Sequence, residues 1–419
     1  QPMVDEFKPV IRNSKFILIW ISQILSQLTI HIMNFLLLIR LFAVTGSAIA
    51  TSLLWVAYAL PAILIGPLAA ASVDMVDRRK MLMVSNLLQS LTILGYAFLH
   101  ETRFFLLYGV AFMYSLLNQF YVPAEAAAIP SVVPKKHLPL ANGLFLLTQQ
   151  GALVVGFGIA GTLSHLLGFS NALYLCAAFL FLAFISVSFL PELKVEETVP
   201  AKFEEAVLRF FTRITEGYHF IKEEKGILPP FLLLIGIQVS LAMILVNVPV
   251  FATDLFEISA NAVGTLIVVP TGLGAGLGAL IIPKLLRRGL RKKRIIEYSL
   301  MPLSFLMLFL GFIVPEFMGS LKLLLGTISL FLIGLTFVGL LIPTQTYLQE
   351  ATPGGLRGRV FGNFWFLVTI ATIIPVIFSG TITELLGVRS LFLILAGLAL
   401  LVLILSKRYG QRIIENGTI

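Results

Sequence analysis

Long apolar stretches recur along the whole chain, separated by short clusters of charge. A helix needs about 20 residues to cross ~30 Å of hydrocarbon. By that measure the pattern predicts twelve spans, at 16–43, 47–72, 81–99, 104–124, 139–165, 171–190, 228–254, 261–284, 295–314, 320–346, 359–384 and 388–406. Most connections are short, so neighbouring spans run antiparallel. The longest is 191–227, where Phe203, Val207, Phe210, Ile214, Tyr218 and Ile221 recur at helical spacing opposite Glu204, Glu205, Arg209, Arg213 and Glu216. This reads as an amphipathic helix on a membrane surface, in a segment too short for a soluble domain. The chain therefore divides into an N-terminal bundle at 1–190, a linker at 191–227, and a C-terminal bundle with a short tail at 228–419.

Composition points the same way. Only 12% of residues are charged against 58% apolar, too few charges to wet the surface of a soluble domain. A net charge of +9 and a pI near 9.6 raise the idea of nucleic acid, but the basic residues are confined to short loops, so no nucleic-acid partner is expected. With the N-terminus inside, all of the 30 lysines and arginines except Arg40, Arg103, Lys322 and Arg389 fall in cytoplasmic segments. That alternation predicts cytoplasmic termini and a cytoplasmic linker. Cys176 is the single cysteine, which excludes an intrachain disulfide and a cysteine-built metal site. The 16–43 stretch is too long for the apolar core of a signal peptide.

The two halves repeat. Pro123-AEAAAIPSVV-Pro134 followed by Asn142-Gly143 matches Pro343-TQTYLQEAT-Pro353 followed by Phe361-Gly362, and Ser47-AIAT echoes Ser259-ANAV. Duplicated halves suggest two bundles with a site between them, able to rock about it. Between spans two and three, the stretch from Gly66 to Lys80 (GPLAAASVDMVDRRK) places small residues just before a cluster of charge. Glycine and alanine there allow two helix backbones to approach closely.

This loop resembles the one between helices two and three of major facilitator superfamily transporters. Thr45-GSA, Pro123-AEAAAIPSVVP with the LPLANGL that follows, and Leu348-QEATPGGLRGRVFG resemble its bacterial exporter branch, which includes macrolide-type drug efflux proteins and siderophore exporters. Lysophospholipid transporters are a more distant match. The resemblance covers nearly the whole chain. It implies an all-α polytopic membrane protein with twelve transmembrane helices in two pseudo-symmetric six-helix bundles, in the bacterial inner membrane. A cytoplasmic gate is expected around Asp74, Asp77, Arg78, Arg79, Glu125, Glu350, Arg357 and Arg359: the repeat sets the start of helix eleven opposite Asp74, and Arg78 or Arg79 is expected to pair with Glu125 or Glu350. Gly151, Gly156, Gly158 and Gly161 resemble the exporters' glycine motif and, with Gly66, are expected to pack helices. The chain departs from the family in several places. Met75 follows Asp74 where arginine is usual, Phe157 stands at a proline position, and Thr29-Ile30 replaces a common Gly-Asp. These departures weaken the case for drug/proton antiport.

In span one, Gln23, Gln27, His31 and Asn34 share one helical face. A polar stripe at membrane depth must face protein or water. It reads either as the wall of a central cavity or as hydrogen-bonding glue between helices, and the resemblance favours the cavity. Weaker cavity candidates are Tyr114 and Asn118 on span four, Gln238 and Asn247 on span seven, and Trp365, Thr369 and Thr372 on span eleven. No carboxylate falls clearly in the middle of a span, which leaves His31 as the deep titratable candidate. The glycine run at 272–278 lacks the Lys-Ser/Thr of a phosphate loop and reads as helix packing. The absence of HExxH, of GxSxG and of clustered His and Cys argues against an enzyme and against a metal site.

These features together predict a secondary transporter working by alternating access, exporting amphipathic small molecules. A lipid, lysophospholipid or siderophore carrier is the alternative, and a non-transporting sensor a lesser one. The expected partners are a small amphipathic substrate or lipid and the membrane itself. The protein is expected to be monomeric, with no cofactor beyond a coupling proton.

Overall fold

The computed structural model describes residues 4–73, 75–193, 203–224, 226–259, 262–352 and 354–415, and among these every regular element is helical. The first half contains α1 (Val4–Ile11), α2 (Ser14–Thr45), α3 (Ala48–Leu64), α4 (Gly66–Val73), α5 (Arg78–Leu99), α6 (Leu106–Val132), α7 (Leu138–Leu167) and α8 (Phe169–Ser188). The linker helix is α9 (Phe203–Glu223). The second half contains α10 (Leu228–Val250), α11 (Val269–Arg287), α12 (Lys292–Leu308), α13 (Gly319–Ala351), α14 (Gly354–Leu386) and α15 (Val388–Glu415). Single π turns extend α10 through Leu255, precede α11 from Gly264, and extend α12 through Ile313.

Each predicted span has a helix. The second is divided into α3 and α4 because Pro67 has no N–H to offer the Ile63 carbonyl, with Pro61 already inside α3. The pattern of spans gave no sign of α1. The chain turns from it into α2 at Asn13, whose Oδ1 accepts from the Lys15 and Phe16 amides while its Nδ2 donates to the Val132 carbonyl. The linker helix lies where its periodicity placed it. Its C-terminal end buries Ile221 among Phe231, Leu348 and Phe364, while Leu208 and Phe211 remain exposed.

The residues form two compact units. Unit 1 is Gln1–Leu41 with Val56–Thr212, and unit 2 is Phe42–Trp55 with Arg213–Ile419. Within the 1–190 stretch, Phe42–Trp55 falls in unit 2. The contacts that draw it there are made by Gly380 and Glu384 of α14.

In unit 1, α2 is the hub. Ser22 accepts from Asn86 of α5, Trp20 donates to Thr148 and Gln23 to the Phe145 carbonyl of α7, and Ser186 of α8 donates to the Leu18 carbonyl. Unit 2 is joined differently. A Cβ on Gly274 of α11 would lie 1.8 Å from the Phe331 carbonyl oxygen, and one on Gly334 of α13 would lie 1.9 Å from that of Thr271. Two helix backbones therefore touch at paired glycines, as membrane helices do when small residues face each other. Gly278 lies against Leu335 and Val338 in the same seam, so the glycine run packs helices as its sequence suggested.

Candidate functional site

The polar face of α2 separates into two parts. Gln23 is 4% exposed, and its Nε2 donates to the Phe145 carbonyl at 3.1 Å. This residue is glue between α2 and α7, a correction to its place in the cavity set. Gln27, His31 and Asn34 are half-buried. None of the three has a side-chain hydrogen bond among the described residues, and the His31 Nε2 is buried without a partner. Gly156 fixes this geometry: a Cβ there would stand 2.7 Å from the His31 Cβ, so glycine lets α7 close against α2 beside the ring. Phe157, at the family's proline position, places its ring 5.9 Å from that of His31 and 5.0 Å from that of Phe35. The result is an apolar wall with three free polar heads along one helical stripe. Such a surface can bind a weakly charged amphiphile by hydrogen bonds and apolar contact.

The other cavity candidates fall into two classes. Tyr114 is fully buried, its Oη beside Ser26 without a hydrogen bond of normal geometry. Asn247 is also fully buried and ties α10 to α14 by donating to Ser379 Oγ at 3.0 Å. Both belong to helix packing, because their side chains have no open side. Asn118 and Gln238 are half-buried, with Asn118 beside the Tyr58 hydroxyl. On α14, Trp365 is exposed, while Thr369 and Thr372 donate to their own helix at the Trp365 and Thr369 carbonyls. Of the expected packing glycines, Gly156, Gly158 and Gly161 are buried and Gly66 faces Gln119. Gly151 is exposed with open space where a Cβ would go, so it packs nothing.

At the end carrying the basic loops, Asp74 and the side chains of Arg357 and Arg359 lie outside the described residues. Asp77 caps α5, accepting from the Arg79 amide at 2.9 Å, and also from the Leu193 amide at 3.3 Å. Arg78 donates to Ser131 Oγ and Arg79 to the Ser188 carbonyl. Neither meets a carboxylate among the described residues: Glu350 pairs with Lys292, and Glu125 takes its hydrogen bond from Tyr121 Oη at 2.8 Å. The arginine–glutamate pairs expected from the sequence are thus replaced. Both arginines are held by oxygen acceptors near their own loop, and Glu125 points into the protein instead.

That inward turn builds a site the sequence did not disclose. Glu125 is 6% exposed, has no basic partner among the described residues, and continues through Tyr121 to Ser22 and Asn86. Four polar side chains from α2, α5 and α6 thus form one chain within an apolar cluster containing Phe16, Leu82, Ala128 and Leu144. The spacing of Tyr121 and Glu125, one helical turn apart, was the available signal. Ser22, on another face of α2 from the expected stripe, carried none.

Comparison with known proteins decides the family. The sequence profile of the Major Facilitator Superfamily matches residues 19–374. The chain belongs to the major facilitator superfamily. It is 26% identical over 98% of its length, and 96% of the relative's, to an uncharacterized MFS-type transporter, YfiS, of Bacillus subtilis. It is 24% identical to macrolide efflux protein A of Streptococcus pyogenes, over 91% of this chain and 92% of that one. The nucleoside transporter NupG, in the crystal structure of a mutant form, has the same fold with a TM-score of 0.71, 15% identity, and 93% and 98% of the two chains covered. The chain is therefore a polytopic membrane transporter with the twelve-helix fold of the superfamily, not an enzyme, and it has efflux-type relatives.

Proposed function

We propose that this superfamily member exports amphipathic small molecules across the bacterial cytoplasmic membrane by alternating access, with its termini and linker on the cytoplasmic side. The observation that carries this reading is the stripe of Gln27, His31 and Asn34, polar and without a side-chain hydrogen bond among the described residues, beside the apolar rings of Phe157 and Phe35. A strongly charged cargo would need a fixed counter-charge, and none lies on that stripe. The efflux relative supports the direction of transport. Glu125 is the carboxylate proposed to exchange the coupling proton. Ionising it in an apolar surround with a single hydroxyl donor is costly, so its proton state would follow water access. The runner-up is a lysophospholipid carrier.

The test is flux in proteoliposomes under an imposed proton gradient, with a macrolide and lysophosphatidylcholine as alternative cargoes. Macrolide flux that collapses with the gradient is the expected result, while lysophosphatidylcholine flux alone would favour the runner-up. Absence of both in correctly inserted protein would contradict the transport of either. For orientation, a cysteine at Glu192 in a Cys176→Ser background should resist an impermeant thiol reagent in intact cells, and labelling from outside would overturn the topology.

A further inference from the structure

Tyr114, Asn118, Tyr121 and Glu125 follow one another on α6 at spacings of 4, 3 and 4, so they share one helical face. Tyr114, Tyr121 and Glu125 are buried, and Asn118 is half-buried. Against them stand Ser22 and Ser26, one turn apart on α2, and Asn86 of α5, all three buried. The Tyr114 hydroxyl lies beside Ser26 and within electrostatic range of the Tyr58 and Tyr121 hydroxyls. Tyr58 is itself half-buried and lies beside Asn118. A polar column thus runs within unit 1 from the half-buried pair of Tyr58 and Asn118 to the buried Glu125.

The hydrogens of this column have one arrangement when Glu125 is ionised. A carboxylate only accepts, so Tyr121 gives its single hydroxyl hydrogen to Glu125 Oε1 at 2.8 Å. Ser22 must then be the donor in its 3.1 Å contact with Tyr121. The Asn86 Nδ2 only donates, and it fills one acceptor position of Ser22 Oγ at 3.0 Å. Every hydrogen from Asn86 onward therefore points toward the carboxylate, and the second lone pair of Ser22 stays open. Two further buried oxygens, Asn86 Oδ1 and Tyr114 Oη, have no hydrogen-bond partner among the described residues. Side chains that only tied helices together would not leave these positions unmatched in a buried interior. One water matches all three: it donates to Asn86 Oδ1 and to Ser22 Oγ, and it accepts from Tyr114 Oη.

We propose that a buried water held by Ser22, Asn86 and Tyr114 passes the coupling proton to Glu125 through the hydroxyls of Ser22 and Tyr121. The inference rests on the reading of Glu125 as the coupling carboxylate, and it names the route its proton takes. The water gives a proton to the open lone pair of Ser22, Ser22 gives its own to Tyr121, and Tyr121 gives its own to Glu125 Oε1. Three O–H bonds break and three form. The water regains its proton through Tyr114 from the Tyr58 and Asn118 end, and the reverse sequence discharges Glu125.

The experiment follows proton exchange at Glu125 by infrared spectroscopy of the purified full chain. The carbonyl stretch of the protonated carboxyl is the band lost in Glu125→Gln, and transfer to heavy water shifts it as deuterium replaces the proton. Ser22→Ala should slow that shift by about tenfold or more, while Ser22→Thr keeps the hydroxyl and should keep the rate of the unaltered protein. Tyr114→Phe removes one hydroxyl, retains the ring, and should slow the shift several-fold. An unchanged rate in Ser22→Ala or in Tyr114→Phe would overturn the route and show that Glu125 exchanges with solvent another way. A carboxyl band absent at every pH would overturn it as well. In proteoliposomes, macrolide flux driven by the proton gradient should fall about tenfold in Ser22→Ala and persist in Ser22→Thr. If the unaltered protein carries no flux of macrolide or lysophosphatidylcholine, the transport reading fails, and the infrared rates still decide the route.

Discussion

The two units solve the same packing problem with different chemistry. In unit 1, α2 is joined to α5, α6, α7 and α8 through side chains: Trp20, Ser22, Gln23, Asn86, Tyr121, Thr148 and Ser186. In unit 2, α11 and α13 meet backbone to backbone at Gly274 and Gly334, and hydroxyls such as Thr336 and Thr344 bond back to their own helices. Side-chain bonds can be traded for water as a site opens, because each donor and acceptor has an equivalent partner in solvent. A glycine seam has no polar side chain to trade and holds its helices at one distance. Unit 1, with its side-chain bonds around α2, also carries the polar stripe of Gln27, His31 and Asn34 and the buried Glu125.

The largest expected effect breaks the comparison on the unit 2 side. Gly334→Val would force a side chain into the Thr271 carbonyl, and backbone cannot step aside. A loss of about 4 kcal/mol or more is expected, in the range reserved for severe core disruption. Folded yield and melting temperature measure it. Gly276→Val on the same glycine run meets nothing within 4 Å and should fold normally. Equal behaviour of the two variants would remove the seam from the account.

On the unit 1 side, Tyr121→Phe leaves Glu125 without its donor. The expected cost is about 1–3 kcal/mol, the usual penalty for stranding a buried polar group. Tyr121→Phe combined with Glu125→Leu should recover part of the melting temperature, since it removes the stranded carboxyl and leaves only the Ser22 hydroxyl short of a partner. A double variant no better than the single one would show that the network matters for something other than hydrogen-bond satisfaction.

The smallest effect is expected outside both interiors. Lys292 and Glu350 pair on an exposed surface. Lys292→Ala should change stability by about 1 kcal/mol or less, and high salt should erase the difference. A larger, salt-resistant loss would mean that this pair takes part in the unit 2 framework.

The spans were legible because apolar length alone sets them, and the linker helix because its charged face is separated from its apolar one. The glycine run at 272–278 was legible as packing, since a phosphate loop requires lysine and serine or threonine that it lacks. The site was legible only in part. Helical spacing put Gln23, Gln27, His31 and Asn34 on one face, but which of them meets a backbone carbonyl depends on α7, and no periodicity in α2 reports that. Glu125 was read as a gate residue through the family resemblance. The depth of its burial follows from how α2 and α5 pack on α6. The bond from Ser47 to Glu384 joins residues 337 positions apart in sequence, and no local pattern announces it.

The central claim is that His31, with Gln27 and Asn34, meets cargo, while Gln23 a few turns away only holds helices together. The most direct measurement is macrolide affinity and melting temperature determined on the same purified preparations of His31→Ala and Gln23→Ala. His31→Ala should weaken affinity by about tenfold, equivalent to about 1.4 kcal/mol, with little change in melting temperature. Gln23→Ala should lose about 1 kcal/mol of stability with affinity unchanged. Intact affinity and a large stability loss in His31→Ala would contradict the claim and return the whole stripe to helix packing.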